Sequence, residues 1–131
     1  MGLIYLDSCL IIYAVEQHPQ WGPGINQAMA KRAPEGFAIS SLTKMECLVR
    51  PIREANLALQ RQYEQFFGSY HLLAMPEDVF LLAAQLRARF GLKTPDALHL
   101  ASAQFHGCDA LWANDDRLTQ AGHGLAVNIL R

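Results

Sequence analysis

Four carboxylates in this sequence stand where a predicted strand ends or a predicted helix begins. They are Asp7, Glu46, Asp96 and Asp115. In a domain of alternating strands and helices, such positions meet at one edge of the sheet. Carboxylates that share a crevice must either have raised pKa values or bind a cation. The four acids therefore predict a cation site.

The chemistry expected of this site follows from its ligands. Carboxylate oxygens without histidine or thiolate at ligand spacing suit Mg²⁺ or Mn²⁺ better than zinc. Ser8, Thr43 and Asn114 lie close to three of the acids along the chain and could hydrogen-bond the carboxylates or metal-bound waters. Hard divalent cations ringed by acids usually serve phosphoryl chemistry, and this is the chemistry we expect here.

Ordinary structural roles remain open for these residues. Asp96 could be an acid that favours a helix start, because the first turn carries a positive dipole end. Glu46 could form a surface ion pair with Arg50, four residues later. His99 lies three residues after Asp96 and could approach the metal or the substrate, yet a histidine on such an apolar helix is also typical of a hydrogen-bonded core residue.

The elements that must position the acids alternate along the chain. Short apolar runs predict strands over 2–6, 36–40, 70–75, 109–113 and 125–130. Helical patterns occupy 8–15, 25–33, 42–50, 55–67, 76–89 and 95–106, with one further turn over 117–120. Thr94 is a candidate N-cap and Gly107 a stop signal for the helix that carries Asp96. This alternation predicts an α/β fold with a central, mostly parallel sheet flanked by helices.

The helix that carries Glu46 has a predicted apolar stripe at helical spacing. The stripe consists of Leu42, Met45, Leu48 and Val49. Glu46 lies at its border, where a carboxylate needs a partner or a cation. Pro51 should end or kink this helix.

Length and composition limit the other possibilities. A chain of 131 residues with 51% hydrophobic content predicts one domain, over 1–131. Three cysteines without C-x-x-C spacing, no signal-peptide pattern and no long apolar segment predict a soluble cytoplasmic protein with no membrane partner.

The net charge of -1 hides a local asymmetry. Excluding the four acids leaves eight acidic against 11 basic residues, a balance of +3 outside the site. The basic residues near the four acidic segments are Lys44, Arg50, Arg53, Lys93 and Arg117. Some of them could hold phosphates around an acidic pocket, which predicts binding that weakens with salt.

Four segments together resemble a known family. They read L-D-S, S-S-L-T-K-M-E-C-L-V-R-P, T-P-D-A-L-H-L-A-S-A and W-A-N-D-D-R-L. In order and spacing they resemble the motifs of PIN-domain nucleases of the VapC toxin type, over almost the whole chain. The resemblance implies a ribonuclease whose metal-binding and catalytic residues are Asp7, Glu46, Asp96 and Asp115. It also implies Mg²⁺ or Mn²⁺ as cofactor, an RNA substrate, a small antitoxin protein as partner and a homodimer.

Two positions in the last segment depart from the family pattern or leave a choice. Ala113 stands where the family usually has threonine or serine, so one hydroxyl contact is missing. Asp115 and Asp116 are adjacent, and we favour Asp115 as the site residue because it follows the strand more closely, with Asp116 better placed to cap the next turn.

Other classes of protein fit less well. A receiver domain of a response regulator needs an aspartate after its third strand, where this chain reads L-L-A-M. A haloacid-dehalogenase-type phosphatase needs D-x-D after its first strand, where this chain reads D-S-C. A PIN-domain RNA-processing nuclease outside any toxin system, and a non-catalytic partner-binding module that retains the fold, remain as alternatives.

Overall fold

A parallel sheet of five short strands forms the centre of the computed structural model, which describes residues 2–32, 36–114, 116–122 and 124–129. The strands are β1 (Ile4–Leu6), β2 (Phe37–Ser40), β3 (His71–Leu73), β4 (Ala110–Ala113) and β5 (Ala126–Asn128). Their order in the sheet is β3-β2-β1-β4-β5, and every neighbouring pair is parallel. The predicted α/β class and parallel sheet are confirmed.

Seven helices connect the strands in the part of the chain that the structure describes. They are α1 (Ser8–Val15), α2 (Gly22–Ala30), α3 (Ser41–Arg53), α4 (Leu57–Phe67), α5 (Glu77–Phe90), α6 (Thr94–Phe105) and α7 (Asp116–Ala121). None of these helices combines the length and the apolar character needed to cross a bilayer. All three cysteines are free.

The core is divided into two clusters on opposite faces of the sheet. On β1, Ile4 and Leu6 belong to the cluster that includes buried residues of α1, α2, α3 and α4. Tyr5, between them, belongs to the cluster built mainly from α5, α6 and α7. This is the alternation expected of a strand that is covered on both faces.

The strand order reverses beside β1, which lies between β2 and β4. The backbone N–H of Asp7 donates to the carbonyl of Trp112 at 3.0 Å and so extends the β1–β4 pairing to the carboxyl edge. In open α/β sheets, ligands bind in the crevice outside this edge at such a reversal. The first turn of α3 follows β2 at the same edge.

Two helices differ from the sequence prediction. Helix α2 begins at Gly22 and ends at Ala30, whereas 25–33 was expected. Pro23 lies in its first turn, where the missing N–H costs no helical hydrogen bond. Helix α3 continues through Pro51 to Arg53, and Pro51 is buried.

The predicted apolar stripe of α3 is half correct, since Leu42 and Leu48 pack against the two core clusters whereas Met45 and Val49 face outward. Met45 and Val49 are 54% and 47% exposed, and the buried residues of the helix are Thr43, Cys47 and Pro51. The thiol of Cys47 lies 3.9 Å from the carbonyl oxygen of Ser8 at the start of α1. The helix therefore packs through its small buried residues together with Leu42 and Leu48, and the small residues allow a close approach to α1.

Candidate functional site

Asp7, Glu46 and His99 come together at the carboxyl edge of the sheet. Asp7 is the N-cap of α1, Glu46 lies in α3, and His99 lies in α6. Nε2 of His99 is 2.6 Å from Oε1 of Glu46 and 3.7 Å from Oδ1 of Asp7. One ligand atom from each residue lies within 4.8 Å of the other two. Two of the four predicted acids thus meet, around an imidazole.

Glu46 is oriented by two hydrogen-bond donors. The hydroxyl of Ser8 donates to Oε1 at 2.9 Å, and the imidazole of His99 contacts the same oxygen. Burial alone would raise the pKa of Glu46, but the hydrogen bonds from His99 and Ser8 and the charge of His99 bring it below its ordinary value. The carboxylate is therefore held ionised.

The alternative in which Glu46 pairs with Arg50 is wrong. The guanidinium of Arg50 lies 3.0 Å from Oε1 of Glu16 and 3.4 Å from Oε2 of Glu54. Glu46 instead faces α1 and α6. Arg50 therefore does form an i,i+4 ion pair, but with Glu54, one turn further along the helix, and not with Glu46.

His99 combines the two roles that the sequence left open. It is completely buried among apolar residues of α6, as a core histidine would be. Its Nε2 nevertheless faces the two carboxylates, while its Nδ1 lies 2.7 Å from the hydroxyl of Tyr5. Sequence reasoning missed Tyr5, although a buried tyrosine in an otherwise aliphatic strand usually needs a partner for its hydroxyl.

Asp96 lies in the first turn of α6, three residues before His99. It is half-buried, and it is not among the three residues within 4.8 Å of one another. Its charge still reaches the site: the pKa of the Cys9 thiol is raised by burial first, then by Asp7, and to a smaller extent by Asp96. The predicted N-cap is one residue off, since Lys93 is the N-cap and Thr94 begins the helix.

Asp115, the fourth predicted acid, lies outside the described residues, as does the choice between it and Asp116. The helix α7 begins at Asp116. Of the three small polar residues expected to support the acids, Ser8 contacts a carboxylate. Thr43 accepts from the N–H of Ser40 at 3.2 Å, and the amide of Asn114 donates to the hydroxyl of Tyr13 at 3.4 Å.

The donor set fits a hard divalent cation. Among the described residues, the group of ligand atoms that lie within 4.8 Å of one another includes no thiol. The carboxylates of Asp7 and Glu46 remain, the oxygen donors that Mg²⁺ and Mn²⁺ prefer. To these the structure adds the buried imidazole nitrogen of His99, for which the sequence left open both a place near the metal and a role in the core.

Comparison with known proteins points to one family. Residues 4–124 match the family model of the PIN domain. The chain is 29% identical over 132 residues to Ribonuclease VapC46 of Mycobacterium tuberculosis, an alignment that covers 99% of this chain and 98% of the relative.

Two solved structures share the fold. A toxin-antitoxin complex from Klebsiella pneumoniae has a chain that superposes with a TM-score of 0.79 at 23% identity, covering 96% of this chain and 97% of the other. VapBC2 from Rickettsia felis, bound to a DNA fragment from its promoter, superposes with a TM-score of 0.76 at 16% identity, covering 95% of this chain and 97% of the other.

Proposed function

Because this chain belongs to the PIN domain family, we propose that it is a metal-dependent endoribonuclease that cleaves RNA phosphodiester bonds. We further propose that it is a single domain over 1–131 and the toxin of a VapBC-type toxin-antitoxin pair. The observation that carries the proposal is the meeting of Asp7 and Glu46 at the edge of the sheet. Among the described residues, their one ion-pair partner is His99.

In the proposed site, the four acids Asp7, Glu46, Asp96 and Asp115 hold Mg²⁺ or Mn²⁺. The bound cation supplies charge that polarises the phosphate and lowers the pKa of an attacking water. The chain itself contributes the geometry: Ser8 and His99 fix the orientation of the Glu46 carboxylate. In-line displacement would leave 3′-hydroxyl and 5′-phosphate ends.

Basic residues around the site would hold the RNA backbone. Arg50 is a poor candidate, since Glu16 and Glu54 already pair with it. Lys44, Arg53 and Lys93 remain, with Lys44 and Arg53 on the same helix as Glu46, and the side chain of Arg117 lies outside the part of the chain that the structure describes. Affinity for RNA should fall as salt rises, because each phosphate contact releases counterions.

The partners proposed for this chain are a second copy of itself and a small antitoxin. Support comes from the similar structures, a toxin-antitoxin complex from Klebsiella pneumoniae and VapBC2 from Rickettsia felis, and from the relative Ribonuclease VapC46. Large apolar side chains are also exposed on two helices: Met45, Val49 and Ile52 on α3, and Phe80 and Leu81 on α5. Met45, Val49 and Ile52 follow one another at the i, i+4 and i+7 positions of α3 and so form one exposed apolar row, which is typical of a partner surface. The cytoplasm is the compartment proposed for the pair, where RNA and reduced thiols occur together.

The test is incubation of the purified protein with a panel of structured RNAs and Mg²⁺ or Mn²⁺. We expect cleavage that excess EDTA abolishes and that returns on adding the metal. Cleavage undiminished by EDTA would contradict the metal mechanism.

Two further experiments test the partners. Light scattering that shows only monomers at micromolar concentration would contradict the homodimer. Purification from native cells without a small partner protein would favour an RNA-processing nuclease.

A further inference from the structure

Three basic residues lie where α5 ends and α6 begins. They are Arg87 and Arg89, in the last turn of α5, and Lys93, the N-cap of α6. All three side chains are exposed, and the sequence has no acidic residue from 79 to 95. We call residues 87–93 the basic turn.

The helix dipoles explain only part of this charge. Cations are favourable in the last turn of a helix, which accounts for Arg87 and Arg89. Lys93 lies instead at the positive end of the α6 dipole, where a cation is unfavourable, and its side chain forms no capping hydrogen bond. A bound anion at the basic turn would offset this unfavourable charge.

A hydrogen bond holds two of the three cations side by side. Nε of Arg87 donates to the carbonyl oxygen of Leu92 at 2.9 Å, and Leu92 directly precedes Lys93. This bond uses Nε and leaves the two terminal nitrogens of the guanidinium to an outside acceptor. A planar fork of this kind matches the oxygens of a phosphate.

The basic turn borders the edge of the sheet where Asp7 and Glu46 meet. Nε2 of His99, on α6, lies within 3.7 Å of an oxygen of each acid. At a rise of about 1.5 Å per residue, Lys93 lies about 9 Å from His99 along the helix axis. A phosphate held at the basic turn would therefore be a near neighbour of a phosphate held at the two acids.

The remaining basic residues near these acids are closer to negative charge. Arg50 pairs with two glutamates. Lys44 and Arg53 lie on α3, which also carries Glu46 and ends at Glu54. By contrast, no ion pair within the described ranges involves the basic turn. Positive charge around the candidate site is therefore least balanced at this turn.

We propose that the basic turn binds the backbone of the RNA beside the phosphate that is cleaved, with Arg87 and Lys93 each contacting a phosphate. The proposal rests on the proposed function, since it assigns the side of the site from which the RNA substrate is held. Cations here also offset the repulsion between the RNA and the acids of the site. Contacts to phosphates carry no sequence information, so the basic turn contributes affinity and position but no base preference.

A matched control lies at the opposite edge of the sheet. Lys31 is the C-cap of α2, and the side chain of Arg32 lies beside Gly36, which directly precedes β2. Both side chains are exposed, and the sequence has no acidic residue from 17 to 34. The double variant Lys31→Gln/Arg32→Gln therefore removes one lysine and one arginine, as Arg87→Gln/Lys93→Gln does, but far from the candidate site.

The first measurement is the affinity for a labelled single-stranded RNA, by fluorescence anisotropy in a chelating buffer over a series of salt concentrations. We expect Arg87→Gln/Lys93→Gln to bind about tenfold more weakly than wild type at low salt. The slope of log affinity against log salt should fall by about 1.4, roughly 0.7 for each lost phosphate contact. Lys31→Gln/Arg32→Gln should stay within about twofold of wild type. Equal losses in the two double variants would overturn the proposal.

The single variant Lys93→Gln guards against a trivial result, because Arg87 also holds the turn through Leu92. Lys93→Gln leaves that hydrogen bond intact and should reduce the salt slope by about 0.7. An affinity and a salt slope equal to those of wild type in Lys93→Gln would overturn the proposal.

The second measurement is the rate of RNA cleavage with Mg²⁺. Arg87→Gln/Lys93→Gln should raise KM and leave kcat within about twofold, because a backbone contact is the same in the bound substrate and in the transition state. A loss confined to kcat would overturn the proposal. If wild type binds RNA without cleaving it, the proposed function fails, while the binding comparison still tests the basic turn. A wild type that binds no RNA would overturn both.

Discussion

Two carboxylate clusters of this protein each include a buried tyrosine, but they differ in how their charge is balanced. In the first cluster, Glu16 accepts from Tyr63 and pairs with the guanidinium of Arg50. In the second, Asp7 and Glu46 face one another across His99, and no other described residue forms an ion pair with either. Arginine carries a permanent charge, whereas an imidazole is charged only when it is protonated.

This difference distinguishes a structural acid from the acids proposed to bind a cation. The Glu16 cluster is complete without a ligand, because its negative charge has a fixed positive partner. The Asp7–Glu46 cluster brings two acids to the carboxyl edge of the sheet with a partner that need not be charged, and a cation would complete it. The comparison predicts that neutralising an acid will have opposite effects in the two clusters.

The largest expected difference is in RNA cleavage. Asp7→Asn should lower the cleavage rate by at least about a hundredfold, because it removes a charged ligand from the proposed cation site. Glu16→Gln should stay within about twofold of wild type, since Glu16 does not face the cation. Initial cleavage rates on one labelled RNA with Mg²⁺ would measure this difference. A Glu16→Gln variant as inactive as Asp7→Asn would contradict the proposed difference between the two clusters.

The next effect is on stability without metal, measured by urea unfolding in a chelating buffer. Glu16→Gln should lower the free energy of unfolding by about 1–3 kcal/mol, because the buried hydroxyl of Tyr63 loses a charged acceptor. The pair with Arg50 adds little, since the arginine is 55% exposed. Asp7→Asn should instead raise stability, by about 1 kcal/mol or a few degrees of melting temperature, because it relieves repulsion with Glu46. A loss of stability in both variants would contradict this contrast.

The sequence predicted the framework of the site but not its internal contacts. The alternation of apolar runs and helical patterns places Asp7 after β1 and Asp96 in the first turn of α6, as observed. Those positions depend on local patterns, such as an acid after a short apolar run. The face of α3 was predicted only in part, because hydrophobicity favoured Met45 while the close approach to α1 required the smaller Cys47.

The hydrogen bonds that link Glu46 to His99, and His99 to Tyr5, could not be predicted from the sequence. Tyr5 and His99 are 94 residues apart, and their contact depends on which strand lies under which helix. The sheet order that brings β1 beneath α6 is a property of the whole fold. Spacing along one helix could suggest that His99 follows Asp96 by one turn, but not that its partner would be Glu46.

A smaller effect is expected for Asp96→Asn. Asp96 lies in the first turn of α6, outside the close cluster, and is proposed to act on the site from there. Relief of repulsion should raise the melting temperature of the metal-free variant, but less than in Asp7→Asn, because losing the favourable dipole interaction costs about 0.3–1 kcal/mol. Mn²⁺ should stabilise the variant less than wild type. Melting curves with and without Mn²⁺ test this, and a metal-free variant that melts lower and gains as much from Mn²⁺ as wild type would make Asp96 a helix-capping acid only.

The smallest effect concerns pH. The pKa of Glu46 is lowered below its ordinary value of 4.5 in the folded protein, so the unfolded chain takes up the proton first. The carboxylate therefore contributes stability above pH 4.5 that is lost as pH falls through the folded pKa. Wild type should lose stability more steeply than Glu46→Gln below this pH in metal-free buffer. Free energies of unfolding that fall equally with pH in the two proteins would contradict this prediction.

The most direct test of the central claim is a calorimetric titration of Mn²⁺ into wild type, Asp7→Asn and Glu16→Gln. The two variants each neutralise one buried or half-buried acid, and only Asp7 belongs to the cluster with Glu46 and His99. We expect wild type and Glu16→Gln to bind Mn²⁺ with the same affinity, and Asp7→Asn to bind at least about tenfold more weakly because a charged oxygen ligand is gone. Binding to Asp7→Asn as tight as to wild type would show that the acids at the edge of the sheet are not a cation site.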